Sequence, residues 1–104
     1  MEKELRTYVI RRPGGWHSPE ALRTAVARWQ RVGEEEMSDD IRWIRSYVVT
    51  ESDGSLGTVC IYQATSPDKV VEHARRSGMP TTEILDVVDT VLVRTDPLAT
   101  TLAA

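Results

Sequence analysis

Residues 41–80 read in succession IRWIRSYVVT, ESDG, SLGTVCIYQAT, SPDKVVEHARRSG and MP. The first block, about Ile41 to Thr50, and the third, about Leu56 to Ala64, are rich in β-branched and aromatic residues and read as strands. Asp53-Gly54 in the short link between them is a strong hairpin signal, so the two strands are antiparallel neighbours. The fourth block opens as a helix, with Ser66 as N-cap, Pro67 at the first helical position and Asp68 in the first turn, where an anion meets the positive helix end. Gly78 and Pro80 stop it, as a left-handed cap followed by a residue that cannot continue a helix.

The flanks repeat the same grammar. Glu4 to Arg11 carries Tyr8, Val9 and Ile10 and reads as a strand ending in a loop at Pro13-Gly14-Gly15. Ser18, Pro19 and Glu20 start a second helix, whose apolar stripe runs through Leu22, Ala25 or Val26, Trp29 and Val32, with Met37 a turn beyond Gly33. It ends between Gly33 and Ser38. A last strand, about Ile84 to Arg94, alternates Leu85, Val87, Val91 and Val93 against Asp86 and Thr90. The order β-α-β-β-α-β is the α+β, ferredoxin-like arrangement, in which right-handed crossovers place both helices on one face of a four-stranded antiparallel sheet. Residues 1–104 form a single domain, with a core of about 4–96 and a loose tail at 97–104.

Composition narrows the partners. A chain of 104 residues with net charge −3 and pI near 5.3 has no basic face for phosphate backbones, which excludes nucleic acid. The single Cys60 cannot form an internal disulfide, MEKELR is charged where a signal peptide needs an apolar run, and no apolar stretch approaches the ~20 residues of a membrane span. The expected setting is cytoplasmic, with no membrane partner.

The strands carry apolar side chains on both faces. Val59 and Ile61 fall on one side of their strand and Cys60 and Tyr62 on the other; on the preceding strand, Trp43 and Tyr47 oppose Ile44 and Val48. Helices cover only one face, so a second layer is missing, and the simplest supplier is another copy of the chain. The expectation is a homodimer of the dimeric α/β barrel type.

The same succession of elements brings Trp43, Ser46, Tyr47, Cys60, Tyr62 and His73 near one another. His73 shares a helical stripe with Val70, Ala74 and Ser77 and therefore points toward the sheet, as a packed core residue, a metal ligand or a proton carrier. Cys60 is a small buried hydrophobe or, with His73, a ligand for nickel, zinc or copper. Trp43 and Tyr47, on one face, are dimer-core packing or a wall for a stacked ligand. Ser46 faces the other way beside Ile44 as a hydrogen-bonded hydroxyl, without the glycine-flanked elbow of a nucleophile. The run Glu34, Glu35 and Glu36, with Asp39 and Asp40, is a solvated helix end or a surface site for a hard cation, Arg75-Arg76 complement a helix C-terminus, and His17 lies exposed beside Trp16 in a loop able to act as a lid.

Two functional classes fit. One is a metal-binding protein. The other is a small-molecule-binding module or cofactor-independent enzyme, with a pocket between the helix that starts at Ser66 and the sheet, lined by Tyr8, Trp43, Tyr62 and His73 and opening near Gly14 to His17. In that reading His73 and Tyr62 serve proton transfer, and Ser46 and Tyr47 complete the ligand-binding set.

The run I-R-W-I-R-S-Y-V, an acidic turn, C-x-Y-x-A-x-S-P and then H-A-R-R-S-G-M-P resembles a family of small bacterial ferredoxin-like proteins of unknown function associated with nickel binding. The resemblance covers about Tyr8 to Pro97 and rests on Trp43, Ser46, Tyr47, Cys60, Tyr62, Ala64, Pro67, His73, Ala74, Gly78 and Pro80. It implies the dimeric ferredoxin-like fold and Ni(II) as a cofactor, and no reaction.

Overall fold

The computed structural model describes residues 4–80 and 83–99. It contains β1 (Arg6–Trp16), α1 (Pro19–Arg31), a π-helical turn (Val32–Glu36), β2 (Ile41–Thr50), β3 (Leu56–Ala64), α2 (Pro67–Ser77) and β4 (Glu83–Asp86). The strands form one antiparallel sheet in the order β2-β3-β1-β4, the order that a ferredoxin-like β-α-β-β-α-β chain produces.

Local chemistry sets the boundaries as expected for most elements. The Ser18 hydroxyl accepts the Ala21 amide at 3.1 Å and caps α1, which otherwise presents free N–H groups. α2 ends where Gly78 adopts a left-handed φ of 72° and Met79 N–H reaches back to the Ala74 carbonyl at 2.8 Å. In the β2–β3 hairpin Gly54 takes φ 87° and its amide bonds the Glu51 carbonyl at 3.0 Å.

Three elements depart from the sequence reading. β1 does not end at Arg11; it bends through Pro13-Gly14-Gly15 with a register shift between Arg12 and Trp16, and Gly14 takes φ 65°. The pairing thereby extends to Trp16 opposite Leu56. β2 carries a bulge: Trp43 pairs with Tyr62 but Arg45 pairs with Ile61, so one extra residue reverses the alternation. β4 stops at Asp86 instead of Arg94, and after the Val87 amide bonds the Thr7 carbonyl at 3.0 Å the chain leaves the sheet. Val88, Val91, Leu92 and Val93 are then largely exposed, with no strand paired to them among the described residues.

The core lies between the sheet and both helices. β1 contributes Tyr8, Ile10 and Arg12, β3 contributes Thr58, Cys60, Tyr62 and Ala64, and these meet Leu22 and Trp29 of α1, Val32 of the π turn, and Val70, His73, Ala74 and Ser77 of α2, all buried. Each large apolar side chain withdrawn here contributes about 1.5–3 kcal/mol. The opposite face carries Val9, Val59 and Ile61, half-buried, with Tyr47, Val49 and Leu85 exposed. Among the described residues no helix is long and apolar enough to cross a membrane.

Candidate functional site

The alternation of β3 places Cys60 and Tyr62 on the helix side of the sheet, and the stripe of α2 brings His73 onto them. The rings of Tyr62 and His73 stand 5.4 Å apart, tilted by 57°. His73 Nε2 lies 2.9 Å from the Trp29 carbonyl at the end of α1. A carbonyl only accepts, so Nε2 carries the proton and Nδ1 is left as a bare lone pair, buried and unpartnered among the described residues. Burial lowers the imidazole pKa below its ordinary value, the Trp29 carbonyl opposes that, and the Arg12 charge adds to it. His73 is therefore a neutral acceptor.

The π turn makes this contact possible. It widens the helix just beyond Trp29 and seats the buried Gly33 against the imidazole, where a Cβ would come within 3.4 Å of His73 Nε2.

Arg12 stands at the centre of the site and is absent from the residues singled out in the sequence. It is fully buried. Its Nε donates to the Pro80 carbonyl at 2.9 Å and its Nη1 to Cys60 Sγ at 3.2 Å, while its Nη2 has no partner among the described residues. The guanidinium lies over the Trp29 ring at 5.4 Å and the Tyr62 ring at 5.9 Å. Burial raises the Tyr62 pKa well above the ordinary phenol value and the Arg12 charge pulls it down by less, so the hydroxyl stays protonated. Strand alternation would have found Arg12, since it is in phase with Tyr8 and Ile10; ending the strand at Arg11 hid it.

The other sequence-derived residues divide by the β2 bulge. Trp43 belongs to the helix side, stacked on Tyr62 at 6.0 Å, with its Nε1 donating to Ser46 Oγ at 2.8 Å. Ser46 thus shares the face of Trp43, contrary to the alternation read from the sequence. Tyr47 does not share it: it pairs with Val59 on the open face and donates its hydroxyl to Asp96 at 3.0 Å, with Arg45 also pairing Asp96. Tyr8 is buried beside Tyr62 in the β1–β3 register, its hydroxyl unpartnered among the described residues. Hence Tyr8, Trp43, Ser46, Cys60, Tyr62 and His73 gather on one face and Tyr47 is separated from them.

A cavity of about 350 Å³ opens beside this cluster, not between α2 and the sheet where the sequence reading placed it. Its lining includes Trp29, Gly33, Ser38, Ile41, Trp43 and Ile44, with Gly33 standing between it and His73. His17 and the acidic run Glu34 to Glu36 are exposed, and Glu36 pairs with Arg76. No group of three or more His, Cys, Asp or Glu able to hold a metal ion occurs among the described residues.

The sequence model of one family, described as nickel responsive protein SCO4226-like, matches residues 8–87, from β1 to the end of β4. No curated protein and no solved structure matches the chain.

Proposed function

Because the chain belongs to the SCO4226-like family of nickel responsive proteins, we propose that it is a homodimeric nickel-responsive protein with Ni(II) as its metal partner. The observation that carries this reading is the family match, which spans every element of the fold. The dimer is supported by the open sheet face, where Tyr47, Val49 and Leu85 are 48 %, 38 % and 46 % exposed beside Val9, Val59 and Ile61. Exposed apolar patches of this kind mark interaction surfaces.

Within one chain, the His73 Nδ1 lone pair is the best-prepared nitrogen ligand. Cys60 is the second candidate, but the Arg12 guanidinium 3.2 Å from its sulfur repels a cation, so ligation there requires Arg12 to move aside. The deciding experiment is nickel titration of untagged protein, reading the melting temperature of the wild type, His73→Ala and Cys60→Ser. A saturable rise in the wild type is expected, since a ligand that prefers the native state stabilises it. Its loss in both variants assigns the interior pair, its survival in both puts nickel elsewhere on the dimer, and no rise in the wild type overturns the nickel reading.

A second reading, a small-molecule-binding module, is favoured by the cavity walled by Trp29 and Trp43, whose indole rings suit a stacked planar ligand. His73 would then act behind Gly33, as a proton carrier only if the π turn opens.

A further inference from the structure

A buried arginine without a counter-charge is the most expensive feature of this interior. The guanidinium is always protonated, and an ion removed from water is costly unless an opposite charge meets it. None of the ion pairs among the described residues involves Arg12. Its bonded partners, a backbone carbonyl and a thiol, supply dipoles only.

The surroundings are rich in further donors. Arg12 Nη2, Trp29 Nε1, the Tyr62 hydroxyl and the Thr58 hydroxyl are all buried and unpartnered among the described residues. They converge: Thr58 is the register partner of Arg12 across β1–β3, and the rings of Trp29 and Tyr62 both lie within 6 Å of the guanidinium carbon. Water would satisfy the donors but leave the charge unmatched.

We propose that this interior binds a small organic monocarboxylate, its charged end on Arg12 Nη2 and its carbon skeleton against the Trp29 and Tyr62 rings. Two features choose that chemistry. One guanidinium matches one negative charge, whereas a phosphate or sulfate dianion would bring a second, uncompensated charge into an aromatic setting. With Nε and Nη1 already committed, Arg12 presents an end and not its two-toothed fork, so a single carboxylate oxygen is held and the flanking Trp29 and Tyr62 donors fix its orientation.

The proposal stands apart from the nickel reading and is tested on protein stripped of metal by a chelating resin. Acetate, propionate and benzoate are titrated at constant ionic strength, with chloride and phosphate as comparison anions, and the melting temperature is followed. The expected result is a saturable rise with a monocarboxylate and none with chloride or phosphate. Arg12→Met should abolish it. Should that variant fail to fold, Tyr62→Phe, which removes a donor and keeps the ring, and Trp29→Phe, which removes a donor and keeps a smaller aromatic ring, should each weaken binding about tenfold. No saturable rise with any carboxylate, an unchanged response in Arg12→Met, or unchanged affinity in both ring variants would overturn it. A thiolate absorbance at neutral pH that Cys60→Ser removes would place the counter-charge on the protein itself and overturn it equally.

Discussion

Trp43 Nε1 donates to Ser46 Oγ at 2.8 Å across the bulge of β2, so two residues three apart in a strand share a face. In a regular strand they would oppose each other. The bond secures the bulge and keeps Trp43 on Tyr62. Ser46→Ala leaves the indole N–H without its acceptor and is expected to lower unfolding stability by about 1 kcal/mol, measured by urea denaturation.

His73 fixes a pH dependence. Its native pKa lies below that of the unfolded chain, about 6.5, so the unfolded state binds a proton that the native state refuses. Stability should therefore be flat above that value in metal-free protein and fall as pH drops from about 6.5 toward the lowered native pKa. Denaturant midpoints across this range should show the slope, and His73→Gln should flatten it.

Gly57 tests the crowding at the β1 bend. A Cβ there would meet the Arg12 carbonyl at 3.0 Å and the Gly14 amide at 3.1 Å, both backbone atoms that cannot turn aside, and would also strike the Glu51 carboxylate. Gly57→Ala is expected to cost about 1–3 kcal/mol. Gly54, with nothing near its Cβ position, has no such neighbours, and only its φ of 87° opposes a side chain.

The open sheet face predicts the assembly. Sedimentation should give twice the chain mass of 11.7 kDa at micromolar concentration. Val49→Lys places a charge in that face, away from Asp96, and should shift the mass toward that of one chain. A single-chain mass for the wild type would leave Tyr47, Val49 and Leu85 uncovered and remove the dimer.

Much of this architecture was legible because caps and turns are local. Ser18-Pro19, Pro67, Asp53-Gly54 and Gly78 each act within a few residues, and β2, β3 and α2 fell where those signals put them, although the Ser66 hydroxyl, unlike that of Ser18, bonds no amide of its helix. The misreadings share a different cause. A bulge at Trp43–Arg45 leaves the composition of the strand unchanged, yet reverses every side chain after it, so Ser46 and Tyr47 exchanged faces. Val88 to Arg94 continues a strand pattern but has no pairing neighbour among the described residues, and pairing is a property of the sheet. Arg12 was passed over because Pro13-Gly14-Gly15 resembles a loop, while the tertiary fold carries β1 through it. That Cys60 and Tyr62 share a face and that His73 points toward the sheet were readable from two periods, 2 and 3.6; that the two meet, and the cation at their centre, were not.

The rings of Trp16, Trp29 and Trp43 follow one another at 5.2 and 5.8 Å and continue through Tyr62 to His73. These are all the tryptophans of the chain, and the chain has no phenylalanine. At such spacings excitation passes between indoles faster than it is emitted, so the intrinsic fluorescence reports the interior as one chromophore. Its middle indole lies against the Arg12 guanidinium. An event at that arginine thus alters the emission of the whole chain, and the protein needs no added dye to make its interior visible.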